Sequence, residues 1–189
     1  MPNYYRYLNL PNNFLDVASV VEKYSSLLED SSKNKQWRIE NTTEVFNKVA
    51  QDWLKQFECQ IGLVEIFYTA PHSKISWHID INVDCVKINF VCGPKDNHYM
   101  KWGKTKIENY IPEIGYNSVG SPHMLFKPED IDEEESLVIN KPVLVNVGMP
   151  HRAVNDSNVG RWCICLIPKK GINRISFSES VDLFKEYVI

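Results

Sequence analysis

Three residues of this sequence, His78, Asp80 and His151, have the types and spacing to bind one metal ion. In an extended strand, side chains two residues apart leave the same face, so His78 and Asp80 can present an imidazole nitrogen and a carboxylate oxygen to one point. A second imidazole from His151 completes a set of two histidines and one carboxylate. Such a set holds one face of an octahedral Fe(II) ion and leaves the opposite face open. The pattern therefore predicts a metal site with positions free for chemistry.

A fourth residue, Arg161, follows His151 by ten positions. Its guanidinium is planar and always charged, and it can bond a carboxylate through two parallel N–H donors. An arginine without a partner is costly in a partly dry interior, so an inward Arg161 predicts an anionic ligand. The alternative is an outward Arg161 in a surface ion pair.

The elements that must position these residues are predicted to be strands. Stretches rich in β-branched and aromatic residues occur at 63–68, 86–91, 142–147 and 161–167. Turn-forming residues fill the interval between 155 and 160. His151 is therefore predicted to lie where one strand ends, and Arg161 where its hairpin partner begins.

On these residues the sequence resembles the 2-oxoglutarate and Fe(II)-dependent dioxygenases. The resemblance covers roughly residues 63–167 and rests on the order and spacing of His78-Ile79-Asp80, His151 and Arg161. It implies a mainly β fold, a double-stranded β-helix or jelly roll with flanking helices. It also implies that the triad holds Fe(II), that Arg161 grips the far carboxylate of 2-oxoglutarate, and that O2 is the third exogenous ligand. The expected reaction is hydroxylation of a substrate coupled to decarboxylation of 2-oxoglutarate to succinate.

Neighbouring residues extend the resemblance. Prolyl-hydroxylase-like members often place a tyrosine ten residues before the first metal histidine, where it contacts the cosubstrate, and Tyr68 matches that position. Asn89 is expected to bond the cosubstrate or the substrate. Arg152 is an alternative to Arg161 for binding the far carboxylate of 2-oxoglutarate, although the ten-residue spacing favours Arg161. Many members carry a serine where this chain has Cys163, and a thiol bonds a carboxylate only weakly.

Length and composition limit the classes of protein. At 189 residues, 43% of them hydrophobic, the chain fits a single domain with one sizeable core. A formal net charge of -3 gives no general attraction to nucleic acid. Five cysteines without regular spacing do not predict a disulfide framework, and no run is apolar enough for a signal peptide or a membrane span. A soluble, cytoplasmic protein is expected. Its substrate is a peptide, a protein or a small molecule, with a peptidyl residue weakly favoured.

Three helices are predicted around the jelly-roll core, which is expected at 61–168. Apolar residues at three- and four-residue steps indicate a helix that begins after Asn13. Asn41 and Glu44 have the spacing of a capping box and predict the start of a second helix. Ser178 or Ser180 is expected to cap the last one. Residues 1–60 are thus expected to form a helical support, and residues 169–189 a C-terminal helix.

Between the strands predicted at 86–91 and 142–147, the sequence predicts irregular structure from 115 to 123 and a solvated acidic loop from 128 to 135. The alternative for the acidic run is a mobile flap over the site that favours a cationic substrate. His72, His98 and His123 lack a carboxylate two residues further on and an arginine ten residues further on, so they are not expected to bind metal.

Two other classes of function remain open at this stage. A cupin-like enzyme would use the same three ligands with Zn²⁺ as a Lewis acid for hydrolysis or isomerisation, and the position of Arg161 argues against it. A non-catalytic jelly-roll binding protein would leave the triad without chemical use. Production of succinate from 2-oxoglutarate distinguishes the oxygenase from both.

Overall fold

The computed structural model describes residues 4–80 and 85–189. These residues form the helices α1 (Val17–Ser25), α2 (Lys48–Lys55) and α3 (Phe177–Leu183). The strands in chain order are β1 (Tyr5–Tyr7), β2 (Lys35–Ile39), β3 (Cys59–Thr69), β4 (Ser73–Lys74), β5 (His78–Asp80), β6 (Val86–Cys92), β7 (His98–Thr105), β8 (Glu113–Tyr116), β9 (Pro122–Leu125), β10 (Ile131–Leu137), β11 (Val143–Asn146), β12 (His151–Asn155), β13 (Arg161–Lys170) and β14 (Asn173–Arg174). Within these residues no helix is long and apolar enough to cross a bilayer.

The strands form two antiparallel sheets, so the protein is mainly β, as predicted. The first sheet has the order β1-β11-β6-β13-β3-β2, with β14 beside β13. The second has the order β10-β7-β12-β5-β9-β8, with β4 beside β12. Residues of both sheets line one cleft, in which Asn89 and Arg161 of the first sheet lie opposite His78 and His151 of the second.

Alternation along β3 separates a packed face from a polar one. Val64 and Ile66 are fully buried in an apolar cluster with Phe46, which precedes α2, Trp53 of α2 and Phe184 of the C-terminal segment. The intervening residues of β3 point to the opposite face and line the cavities between the sheets. Each large apolar side chain buried in this way contributes roughly 1.5–3 kcal/mol to folding. One face of the first sheet thus stabilises the fold, and the other is available to a site.

The three predicted helices exist, but their starts differ from the predicted ones. Asp16 caps α1, because its carboxylate accepts the backbone N–H of Ser19. Asn41 makes no cap bond and precedes only a short 3-10 turn, whereas the side-chain oxygen of Asn47 caps α2. Several Asn and Asp side chains compete in this polar stretch, and the one whose oxygen reaches free N–H groups becomes the cap.

The chain ends also differ from the predicted helical supports. Ser176 rather than Ser178 or Ser180 caps α3, by accepting the backbone N–H of Glu179 at 3.0 Å. The N-terminal sixty residues contribute β1 and β2 as well as helices, and both strands extend the first sheet. Both strands are short, so a period of two is difficult to detect in them.

The acidic run is a strand, not a solvated loop. β10 pairs with β7, and Glu133 binds Lys101 at 2.7 Å while Glu134 binds Lys104 at 2.6 Å. The expectation failed because a charge run can form a strand when the neighbouring strand supplies opposite charges. Since cations on β7 bind these carboxylates, nothing supports the flap hypothesis. The stretch predicted as irregular likewise contains the hairpin of β8 and β9.

Candidate metal centre

The structure brings the three predicted ligands together. His78 and Asp80 are the two ends of β5, and His151 is the first residue of β12, directly paired with His78. One ligand atom from each residue lies within 4.8 Å of the others, and the two imidazole rings are 4.3 Å apart. This group could hold a metal ion, as the sequence predicted.

Backbone carbonyls fix the orientation of both imidazoles. Nδ1 of His78 lies 2.8 Å from the carbonyl oxygen of Ser76, and Nδ1 of His151 lies 2.8 Å from that of Met149. Because a carbonyl only accepts, both Nδ1 atoms carry the proton and each Nε2 keeps a lone pair for a metal. Burial lowers the pKa of His78 and lowers that of His151 to about 3. Both rings are therefore neutral, as metal binding requires.

Asp80 is oriented by a buried cation that the sequence analysis did not identify. Nζ of Lys87 binds Oδ2 of Asp80 at 2.8 Å, while Oδ1 lies 3.9 Å from Nε2 of His78. Burial would raise the pKa of Asp80, but the charge of Lys87 and its hydrogen bond outweigh it and hold that pKa well below its usual range. Nζ of Lys87 also binds Glu65 at 3.0 Å. The carboxylate is thus ionised, with one oxygen held by Lys87 and the other free for a ligand bond.

Arg161 lies in the cleft beside this triad and is 2% exposed. Its Nε donates a long hydrogen bond of 3.4 Å to Nδ1 of His98. In residues 4–80 and 85–189 no carboxylate forms an ion pair with it. A buried guanidinium without a counter-charge is unfavourable, so its position indicates a site for an anion.

Two further polar atoms in the same cleft lack partners among the described residues. They are Oγ1 of Thr69 and Oδ1 of Asn89, both fully buried. The amide nitrogen of Asn89 contacts only the sulfur of Met100, at 3.9 Å. Buried polar groups are nearly always hydrogen-bonded, so these atoms fit a polar ligand or ordered water. Asn89 therefore lines the cleft and stays a candidate for bonding the cosubstrate or the substrate, and Thr69 is an additional candidate.

Arg152 is directed elsewhere. Its guanidinium lies over the ring of Trp77, 4.6 Å from the centroid, and binds Glu133 at 3.4 Å. Arg152 is not among the residues that line the cleft. Of the two arginines considered from the sequence, Arg161 is the one beside the triad.

Tyr68 does not line the cleft that contains Arg161, although it borders a neighbouring, larger cavity that also reaches His78 and Asp80. Its ring packs on Trp162 at 4.9 Å, and its hydroxyl donates to the carbonyl of Ser31 at 2.9 Å. A Cβ on Gly160 would lie 2.2 Å from the Tyr68 ring, so only glycine permits this packing. The side chains that β3 presents to the cleft are Phe67 and Thr69. A turn separates β3 from β5, so counting residues back from His78 does not fix which face a residue takes.

Two thiols complete the cleft wall. Sγ of Cys163 and Sγ of Cys165 are 3.5 Å apart, on one face of β13. The hydrogen bond from Cys165 lowers the pKa of Cys163 to about 7; burial opposes this shift and the charge of Arg161 supports it. Cys163 is thus a better hydrogen-bond acceptor than an ordinary thiol and has little use as a donor to a carboxylate.

The other histidines lie outside the metal group, as predicted. His72 is exposed, with Nε2 2.7 Å from the side-chain oxygen of Asn158, and His98 accepts from Arg161. The ring of His123 is 5.5 Å from that of His78 and lines a second, larger cavity of about 540 Å³ that reaches the triad.

Comparison with known proteins identifies no family. No protein-family model matches the chain, and no curated protein matches it significantly. The X-ray structure of ycfD from E. coli is similar at 14% identity and a TM-score of 0.36, over 62% of this chain and 28% of that one. This chain thus spans less than a third of the length of ycfD, and a similarity this distant carries no functional argument.

Proposed function

We propose that this protein is an Fe(II)- and 2-oxoglutarate-dependent dioxygenase that hydroxylates its substrate and converts 2-oxoglutarate to succinate. The observation that supports this most is the proximity of two features in one cleft. The first is the His78-Asp80-His151 group, with neutral imidazoles and an ionised carboxylate, and the second is the buried Arg161, which forms no ion pair with a carboxylate of residues 4–80 and 85–189. In this proposal the two antiparallel sheets form a double-stranded β-helix.

The triad would hold the iron through Nε2 of each imidazole and Oδ1 of Asp80. When bound, Fe(II), 2-oxoglutarate and O2 supply the oxidising chemistry, which no side chain of the protein provides. The protein prepares the ligand atoms. Because both Nδ1 atoms donate to carbonyls and Lys87 binds Oδ2 of Asp80, the three donor atoms are oriented and deprotonated before metal arrives.

Arg161 would bind the far carboxylate of 2-oxoglutarate. Its Nε donates to His98, so its two terminal nitrogens would be the donors to the carboxylate, in parallel. The Thr69 hydroxyl and the Asn89 amide nitrogen are further donors in the same cleft. The surrounding apolar residues Phe67, Val147 and Ala153 exclude water and strengthen these bonds.

The direct test is succinate formation from 2-oxoglutarate by purified protein with Fe(II) or with Zn²⁺. We expect succinate with Fe(II) only, and a loss of at least 100-fold in His151→Ala. Arg161→Gln should need about 10–100 times more 2-oxoglutarate, because a charge-assisted hydrogen bond contributes about 1.5–3 kcal/mol. The matched control Arg152→Gln should behave as the wild type. Succinate formation that is independent of His151, or its absence with iron and 2-oxoglutarate bound, would reject the proposal.

A further inference from the structure

The cavity of about 540 Å³ beside the triad has an unbalanced charge. Three cationic side chains, Arg38 on β2, Lys74 on β4 and Arg174 on β14, line it at separate points. The acidic residues of its wall are Glu65 and Asp80, and Lys87 binds both of them. Within the described part of the chain the other three cations form no ion pair, so the wall has an excess of positive charge.

Arg38 is exposed to solvent and lies at the wall of the cavity. It pairs with Glu65 across β2 and β3 and therefore shares the inward face of the sheet. Lys35, which also borders the cavity, pairs with Tyr68 and belongs to the outer face, so we do not count it. Nη2 of Arg38 donates to the hydroxyl of Ser121, which reaches across from the loop between β8 and β9.

A chain of hydrogen bonds and ion pairs runs from this arginine to the metal ligand. Oγ of Ser121 lies 3.5 Å from Oε1 of Glu65, and Nε2 of Gln36 donates to the same oxygen at 3.3 Å. The other oxygen of Glu65 binds Lys87, which binds Asp80. The side chains around Arg38 are thus held in place before a ligand binds, which reduces the entropy cost of binding.

We propose that the substrate carries a carboxylate or phosphate group that binds Arg38 in this cavity, with Lys74 and Arg174 supporting from either side. The cavity volume suits a small molecule or a single side chain. Oxidation at the neighbouring triad rests on the proposed function: one C–H bond of the substrate becomes C–OH, the second oxygen atom of O2 enters succinate, and CO2 leaves. The anion site itself requires no metal.

Titration of the ¹⁵N-labelled full-length protein, observed by amide shifts, tests this site. The probes are the N-acetyl amides of O-phospho-L-serine and L-aspartate, with the N-acetyl amide of L-asparagine as the neutral match, first without metal and then with Zn²⁺. We expect either anionic probe to shift the amides of Gln36, Arg38 and Ser121 and to bind at least 10-fold more tightly than the neutral one. The stronger of the two identifies the anion as phosphate or carboxylate.

Variants locate the effect on the cavity wall. Arg38→Gln should weaken binding of the anionic probe by at least 10-fold, whereas Lys55→Gln, an exposed cation on α2, should leave it unchanged. Equal binding of the neutral probe, or shifts confined to Arg161 and Cys163, would overturn the inference. Since the first titration contains no metal, a failure to bind iron would reject only the proposed function, and iron binding without an anion site would reject only this inference.

Discussion

Arg161 is the residue whose environment is hardest to explain without a ligand. It is buried in the cleft and forms no ion pair with a carboxylate of the residues that the structure describes, and neutral residues of similar size are often as stable or more stable at such positions. We therefore expect Arg161→Met, without ligands, to have a free energy of unfolding equal to or higher than that of the wild type. Denaturant titration of both proteins measures this difference.

The wild type and Arg161→Met also distinguish a ligand-binding role of Arg161 from a structural one. With Fe(II) under anaerobic conditions, 2-oxoglutarate at 100 times its Kd should stabilise the wild type by about 2.7 kcal/mol. It should stabilise Arg161→Met by far less, and Arg152→Met by the full amount. A large loss of stability in ligand-free Arg161→Met would show that the guanidinium is structural.

His98 is expected to make the free energy of unfolding depend on pH. Burial lowers the pKa of His98 first, and the charge of Arg161 lowers it further, so the folded state favours the neutral ring. In the unfolded chain His98 has its ordinary pKa of about 6.5, so it binds a proton when the pH falls below that value, whereas the folded protein keeps the ring neutral. The free energy of unfolding therefore decreases as the pH falls, until the ring of the folded protein is also protonated. His98→Gln should lose less stability between pH 6.5 and 5 than the wild type, as measured by urea unfolding. Equal pH dependence in the two proteins would contradict this prediction.

Single residues show where prediction from the sequence succeeds. His78, Asp80, His151 and Arg161 could be found because their residue types are rare in strands and their spacing is restrictive. Lys87 could not, because a lysine in a strand is ordinarily exposed, and only the positions of Asp80 and Glu65 show that it is buried between two carboxylates.

At the scale of elements, the turn between β12 and β13 sets where Arg161 enters the cleft. The amide nitrogen of Asn155, fully buried, donates to the carbonyls of Thr69, Ala70 and Val159, and so joins this turn to the end of β3. Asn155→Ala removes this donor from the buried carbonyls of Thr69 and Ala70 and from the part-buried carbonyl of Val159. We expect it to lower the free energy of unfolding by about 2–4 kcal/mol, measured by denaturant titration.

Asp156 provides the control for that substitution. It is exposed in the same turn, so Asp156→Ala should change stability by less than about 0.5 kcal/mol. A similar effect of the two substitutions would show that the turn does not depend on the Asn155 amide.

The long strands β3, β6 and β13 could be predicted because they contain many β-branched and aromatic residues. The short strands and the helix caps could not be predicted from the sequence. β10 is acidic and is stabilised by lysines on β7, and the side-chain oxygen of Asn47, not that of Asn41, accepts from the free N–H groups of a helix. Such elements depend on partners distant in sequence, which local patterns do not contain.

At the scale of the whole molecule, the metal ligands belong to one sheet and Arg161 to the other. A metal would join β5 to β12, whereas 2-oxoglutarate would connect the second sheet to the first. Hydrogen exchange should therefore show protection of β5 and β12 on adding Zn²⁺. Further addition of 2-oxoglutarate should slow exchange in β3 and β13, but not in Arg161→Met. Protection confined to one sheet with both ligands bound would contradict this arrangement.

The measurement that most directly tests the central claim is anaerobic titration of the metal-free protein with Fe(II) and then 2-oxoglutarate. The weak visible charge-transfer band of a keto acid chelated to Fe(II) should appear in the wild type. It should be absent in His151→Ala and should require at least 10-fold more 2-oxoglutarate in Arg161→Gln. A wild-type protein that binds iron but develops no band at any 2-oxoglutarate concentration would contradict the account.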